Sequence, residues 1–267
     1  MSSNSDKILQ KYGGGCEEGR DKRSRAGSLE FHYTKKHLAP FVTPESRVIE
    51  IGCGTGYYGM HFGPLCAGYR GIDLTPDNIA VFQEKITSAG LANVTAETGD
   101  ATNLENVSDG CCNVALCLGP MYHLPPEERD VAFGECARIT ENGGIAAFAY
   151  ISKLGVYAGA CSYDRWRNVY PNAKANEYCL NRGTDDANPD VFYFTTPEEM
   201  EAMAETHGFE VIKNCGLDFM FMMAAIEQMT DEQFAYYMEL ADQMAESRFC
   251  TGLANHALLI CRKKGKG

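Results

Sequence analysis

At residues 48–56 a short apolar run, Val48-Ile49-Glu50-Ile51, passes directly into three glycines at alternate positions, Gly52-Cys53-Gly54-Thr55-Gly56. An apolar run of this length bounded by glycine reads as a buried strand, and a strand that turns at once into a helix opens a βαβ unit. The pattern recurs. Strands are predicted at Val48–Ile51, Tyr69–Asp73, Val94–Thr98, Asn113–Leu118 and Ile145–Tyr150, with helices between them at about Tyr58–Leu65, Pro76–Ala89 and Pro126–Arg138. The last helix opens with proline and two acids, as a helix start should. Such alternation predicts an α/β fold built on a doubly wound parallel sheet.

Outside this rhythm the chain is less regular. Residues 1–27 are polar and include Gly13, Gly14 and Gly15, so order there has to come from docking, and a helix is expected from near Ser28. Residues 152–194 form a long stretch rich in Tyr and Asn that holds the only tryptophan, Trp166, and a connection of that length reads as a lid. Regularity returns at Thr196-Pro197-Glu198-Glu199, a capping residue, first-turn proline and capping-box glutamate, followed by strand Glu210–Gly216, helix Thr230–Glu246 and strand His256–Arg262. The expected organisation is an N-terminal cap (1–40), a ligand-binding core (41–151), a lid or acceptor insertion (152–195) and the C-terminal part of the sheet with a helical insertion (196–267).

Composition narrows the function. A net charge of −12 disfavours nucleic acid, whose nonspecific affinity comes from Lys and Arg displacing counterions. The basic groups Arg20, Lys22, Arg23, Arg25 and Arg262, Lys263, Lys264, Lys266 read as solvated surface. The 12 cysteines include no C-x-x-C pair, so they read as small buried hydrophobes, and no metal site is expected. The N-terminus lacks the apolar run of a signal peptide and no membrane-spanning stretch follows; a cytoplasmic protein is expected.

Glycines at a strand-to-helix turn let backbone N–H groups approach a ligand closely. Gly54-Thr55-Gly56-Tyr57-Tyr58-Gly59 also fits the dinucleotide spacing G-x-G-x-x-G, so a nicotinamide-dependent oxidoreductase is a rival reading. Glu50, two residues before the first glycine, would repel a pyrophosphate and suits a cationic ligand with an amino-acid end. Asp73 ends the second strand, where a carboxylate can accept hydrogen bonds from both ribose hydroxyls. The third strand ends in Gly99-Asp100-Ala101 and the fourth in Leu118-Gly119-Pro120-Met121-Tyr122-His123-Leu124. Ligands of open parallel sheets bind at these carboxyl ends.

With these four strand ends in order, the chain resembles the class I S-adenosylmethionine-dependent methyltransferases, most clearly over residues 48–150. The resemblance implies a Rossmann-like, seven-stranded mixed sheet whose last strand runs antiparallel between the fifth and sixth, with N-terminal and post-strand-5 cap insertions. It implies S-adenosylmethionine as cofactor: Gly52, Cys53, Gly54, Thr55 and Gly56 around the methionine part, Glu50 facing its amino group, Asp73 at the ribose, Asp100 and Ala101 at the adenine, Leu118 and Gly119 below the sulfonium, with Leu74 and Asn78 as further cofactor contacts. The G-P-x-Y-H-L ending at 119–124 is similar to a subgroup of small-molecule or uncharacterised methyltransferases, so a particular substrate does not carry over; a small-molecule acceptor methylated at O, N or S is the expected partner. The Asn/Asp-Pro-Pro-Tyr/Phe motif of enzymes that methylate exocyclic nitrogens is absent.

Methyl transfer asks the protein mainly to orient the nucleophile and exclude water. His123, with Tyr122, lies at the strand end nearest the expected methyl group and is the candidate base; the plainer alternative is that its ring caps the following helix. From the N-terminal segment Tyr12 and Arg25 are candidate cofactor contacts, beside Arg20, Glu30 and Tyr33. Aromatic residues of the lid, Tyr157, Tyr163, Trp166, Tyr170, Tyr178, Phe192, Tyr193 and Phe194, would suit a planar or apolar acceptor and would equally serve as a homodimer surface or as plain core. Met220, Met222 and Met223 read as core. A non-catalytic cofactor-binding scaffold stands as a further alternative.

Overall fold

The computed structural model describes residues 4–13, 18–164, 169–182 and 191–265; Gly14, Gly15, Trp166 and Lys266, as well as the side chain of Tyr178, lie outside the described set. In chain order its principal elements are α1 (Asn4–Tyr12), α2 (Arg25–Leu38), β1 (Arg47–Ile51), α3 (Tyr57–Phe62), β2 (Gly68–Asp73), α4 (Pro76–Ala89), β3 (Val94–Thr98), β4 (Cys112–Cys117), α5 (Pro126–Ile139), β5 (Thr140–Ile151) and α6 (Lys153–Ser162). There follow the single turn α7 (Ala173–Ala175), α8 (Pro197–Thr206), β6 (Phe209–Gly216), α9 (Met220–Gln228), α10 (Asp231–Glu246), α11 (Arg248–Thr251) and β7 (His256–Lys263).

The strands form one seven-stranded sheet in the order β3-β2-β1-β4-β5-β7-β6, with β1 to β5 paired parallel and β7 antiparallel to both neighbours. The doubly wound mixed sheet is therefore present as expected. Its two faces follow from strand periodicity, since successive side chains point to opposite sides. Val48, Val114, Leu116 and Ala147 pack in one core with Phe62, Phe82 and Tyr237, while Ile49, Ala115, Cys117, Ala146 and Phe148 pack in the other with Phe133, Cys136 and Met200. Eight of the eleven described cysteines are buried, consistent with their reading as small apolar side chains.

Local signals account for several boundaries. Thr196 with Glu199 and Thr230 with Gln233 each close a capping box. Helix α2 begins three residues before the expected Ser28, because Ser24 caps it by accepting from Gly27 N at 2.9 Å. Strand β5 starts five residues earlier than Ile145, and its pairing with β4 shifts register between Cys112 and Val114. The stretch after β5 is not all loop: Ser152 caps α6, which packs on Met220 of α9 through Gly159 and on the backbone of Ala254 through Gly155. Among the described residues no helix is long and apolar enough to cross a membrane.

Candidate active site

The carboxyl ends of β1, β2 and β4 are stitched together by short-range geometry. Gly52 N and Cys53 N donate to Ile72 O at 2.7 and 3.1 Å, and Gly54 N donates to Asp73 Oδ2 at 2.8 Å. Gly52 takes φ of 74°, and a Cβ there would stand 2.4 Å from Pro120 Cδ, so the glycine loop lies directly on the 119–120 turn after β4. Asp73 Oδ1 accepts from Thr75 N at 2.9 Å and Asn78 Nδ2 at 3.3 Å. Each carboxylate oxygen can accept more than one bond, so Asp73 retains capacity for a ligand donor. Asn78 Oδ1 is buried with no hydrogen-bond partner, an acceptor left over at the same spot.

Three adjoining cavities open here. The first, about 210 Å³, is lined by Gly52, Gly54, Asp73, Leu74, Asn78, Asp100, Ala101, Gly119, Tyr122, His123 and, from α1, Tyr12. The second, about 490 Å³, is lined by Glu50, Cys53, Thr55 and Leu118 together with Gly52, Gly54, Gly119 and Tyr122. The third and largest, about 870 Å³, has Tyr157, Tyr170, Phe192, Phe194, Met220 and Met223 among its walls. Arg20 and Tyr122 line all three, so they mark the junction.

Most residues singled out from the sequence thus meet in one place, but three do not behave as expected. Arg25 faces away: its guanidinium donates to Met229 O and pairs with Asp231, fastening α2 to α10, and Arg20 takes the cavity position instead. Gly56 lines none of the three cavities; it sits against the Phe82 ring, where a Cβ would fall 2.0 Å from Cδ2. His123 neither caps α5, whose N-cap is Pro125, nor offers a free nitrogen. Its Nδ1 lies 2.6 Å from Val191 O and its Nε2 3.0 Å from Tyr12 Oη. A carbonyl only accepts, so Nδ1 carries the proton and Nε2 accepts from the tyrosine. Burial pushes the imidazole down to about 4, which keeps it neutral.

His123 therefore ties α1 and residue 191 to the turn after β4. Arg129 reinforces the same turn, donating to Met121 O at 2.9 Å and to Leu124 O and Tyr193 O at 3.3 and 3.2 Å. Asn4 Nδ2 also donates to His123 O at 2.9 Å, so the N-terminal helix is fixed across the first cavity. Met220 and Met223, read from the sequence as core, face the largest cavity instead. Tyr33 is buried, donates to Asp242 Oδ1 at 2.9 Å and lines none of the three cavities.

Two acids have unusual surroundings. Glu50 is 1% exposed and accepts from Tyr69 Oη at 2.6 Å; burial, with the Asp73 charge adding to it, pushes its carboxyl up to about 8. Glu30, from α2, pairs with Arg20 and reaches the second and third cavities. Asp218 and His256 also line the third cavity. No local motif marks these two in the sequence. One topological signal does: a strand that runs antiparallel among parallel ones begins where they end, so the first residue of β7, His256, opposite Ile151, belongs to the same rim.

A family model described as "Methyltransferase domain" matches residues 48–144. A ubiquinone biosynthesis O-methyltransferase of Cupriavidus pinatubonensis is 28% identical over 177 residues, which cover 65% of this chain and 64% of that protein, slightly less than two thirds of its length. Magnesium protoporphyrin IX methyltransferase from Synechocystis PCC 6803, solved with bound S-adenosylhomocysteine, superposes with a TM-score of 0.60 at 14% identity, covering 97% of this chain and 94% of that one. The cyclase SpnF superposes with a TM-score of 0.61 at 18% identity over 98% of this chain and 93% of that one. The matched segment runs from β1 into β5 and contains the glycine loop, Asp73, Asp100 and Gly119. Over residues 48–144 the chain is similar to a methyltransferase domain, and its fold is shared with the Synechocystis methyltransferase.

Proposed function

We propose that the chain binds S-adenosylmethionine along the carboxyl ends of β1 to β4 and directs its methyl group to an oxygen of a small, largely planar acceptor in the 870 Å³ cavity. The observation that carries this reading is the junction. The two clefts that flank the glycine loop meet the aromatic cavity at Arg20 and Tyr122. The cofactor supplies an electrophilic methyl group; the chain's part is to hold and orient both partners and keep water out.

The residues present fit the ligand. Glu50, Gly52, Cys53, Gly54 and Thr55 surround the second cleft and suit the amino-acid end. Asp73 and the orphaned Asn78 Oδ1 suit ribose hydroxyls, and Leu74, Asp100 and Ala101 suit the adenine. Gly56 acts by shaping the loop rather than by contact. Tyr122 shares the junction and orients the acceptor, while His123 pins α1 as a cover over the cleft. The O-methyltransferase name of the Cupriavidus relative supports oxygen as the attacking atom.

Incubation with methyl-labelled S-adenosylmethionine and a set of phenols, catechols and carboxylic acids is the test. Label appearing as a methyl ether is expected. Cofactor binding with no label transferred to any oxygen acceptor would favour a non-methylating use of the fold.

Glu50 yields a second expected result. Its carboxyl is largely protonated at neutral pH in the free chain, whereas a ligand ammonium favours the ionised form. Binding of S-adenosylhomocysteine near pH 7 should thus release about one proton, read from calorimetry in buffers of different ionisation enthalpy. Because the folded-state value is raised above the unfolded one, between about 4.5 and 8 the native state holds a proton that the unfolded state has lost, so stability falls as pH rises through that window. Glu50→Gln should remove both effects, stabilising the free chain above pH 8 and weakening ligand binding.

A further inference from the structure

His256 lines the largest cavity and keeps one ring nitrogen without a hydrogen-bond partner among the described residues. Its Nδ1 lies 2.9 Å from Asp218 Oδ2, and Asp218 Oδ1 accepts from His256 N at 2.7 Å. Asp218 is 3% exposed, so this carboxylate is fixed from two sides. Glu30 Oε2 stands 3.8 Å from the same Nδ1, Arg20 pairs with Glu30, and Asn255 Nδ2 lies 3.0 Å away. A proton on Nδ1 is what two carboxylates demand, which leaves the lone pair of the neutral ring on Nε2. Nε2 has no hydrogen-bond partner among the described residues, and the ring lines the largest cavity 6.1 Å from the Tyr122 ring at the junction.

The surroundings also tune the ring. Burial works to lower its pKa and Arg20 does the same, but Asp218 and Glu30 outweigh them and raise it to about 9. Proton transfer is efficient when donor and acceptor are matched, and phenolic hydroxyls ionise near ~10. The apolar walls, Tyr157, Tyr170, Phe192, Phe194 and two methionines, suit an aromatic body.

We propose that His256, oriented by Asp218, is the proton acceptor for a phenolic hydroxyl of an aromatic substrate, an inference that rests on the methyl-transfer reading above. The step uses the neutral ring, the form that predominates above about pH 9: the O–H bond breaks with its proton going to Nε2; the oxygen's electron pair bonds to the methyl carbon; the carbon–sulfur pair stays with sulfur, which leaves as a neutral thioether. His256 becomes an imidazolium and later loses the proton to solvent. Asp218 is a positioning residue, since it acts only through the imidazole.

The test uses the full chain loaded with S-adenosylhomocysteine and 4-nitrophenol as probe, whose coloured phenolate reports its own ionisation. Calorimetry first measures S-adenosylhomocysteine on the parent, His256→Gln and Asp218→Asn chains; failure in the parent counts against the cofactor reading and not against the dyad. The parent should lower the apparent pKa of bound 4-nitrophenol by about one unit or more, because an imidazolium faces the phenolate. In His256→Gln the probe should ionise at or above its free value, since Glu30 and Asp218 then face it without the cation. Histidine NMR titration should place His256 near 9 in the parent and at least about one unit lower in Asp218→Asn, a change that a purely structural role would not produce. The proposal is overturned if His256 of the parent titrates at the ordinary histidine value, if parent and His256→Gln give the same probe spectrum, or if the parent does not bind the probe. Should a variant fail to fold, the parent's own titration and probe spectrum still decide.

Discussion

Replacing Asp73 with alanine is expected to weaken S-adenosylhomocysteine binding at least about a hundredfold in calorimetry, while the chain remains folded. A hydrogen bond to a carboxylate contributes about 1.5–3 kcal/mol, so losing two ribose hydroxyl bonds removes roughly 3–6 kcal/mol, and each 1.4 kcal/mol is a factor of ten. Asp73 also holds the loop that forms the cleft, through Gly54 N at 2.8 Å and Thr75 N at 2.9 Å. Those two donors lose their partner in the variant, so its thermal midpoint should fall by several degrees as well. Asp73→Asn keeps one acceptor oxygen and should bind about tenfold more weakly than the parent. Equal affinity in Asp73→Ala and parent would place the nucleoside elsewhere.

The second large effect is on the fold. Gly56 has φ of 82°, and an alanine Cβ there would meet Phe82 Cδ2 at 2.0 Å. Left-handed backbone costs a non-glycine residue about 1–2 kcal/mol, and overpacking a filled core costs about 1–3 kcal/mol more. Phe82 is 0% exposed and packed on the sheet, so it has little room to retreat. Gly56→Ala should therefore lose roughly 2–5 kcal/mol in urea unfolding, a large share of the ~5–15 kcal/mol typical of a domain. In a Phe82→Leu background the added cost should drop towards the backbone part alone, about 1–2 kcal/mol. A neutral Gly56→Ala would mean that the loop does not lie on Phe82.

The contrast between these two positions shows where sequence reasoning reaches and where it stops. Asp73 was legible because a strand end in a parallel sheet has one function-rich edge, and periodicity alone locates that edge. Gly56 was legible as a required glycine, but its reason, the ring of Phe82 on α4, is a tertiary contact. Helix α6 was hidden because Gly155 and Gly159 lower helix propensity. Both are explained by close approach: a Cβ at 155 would lie 1.9 Å from Ala254 O and one at 159 would lie 2.6 Å from Met220 Cβ.

Charge placement was the least legible part. Arg25 and Arg20 are the same residue type five positions apart, yet one fastens α2 to α10 and the other stands at the junction of three cavities. Their partners, Asp231 and Glu30, lie 206 and 10 residues away in the chain, distances that no local pattern encodes. His123 drew attention through its place after β4, and both its nitrogens proved to be occupied. His256 drew none, although the antiparallel course of β7 brings its first residue to the rim.

A crystal structure of the chain with S-adenosylhomocysteine tests the whole account most directly. The adenine should lie among Leu74, Asp100 and Ala101, the ribose hydroxyls on Asp73, the amino-acid end over the glycine loop near Glu50, and the sulfur at Tyr122 facing the cavity that holds His256. A ligand whose sulfur points away from that cavity, or a cleft that stays empty at saturating concentration, would contradict it.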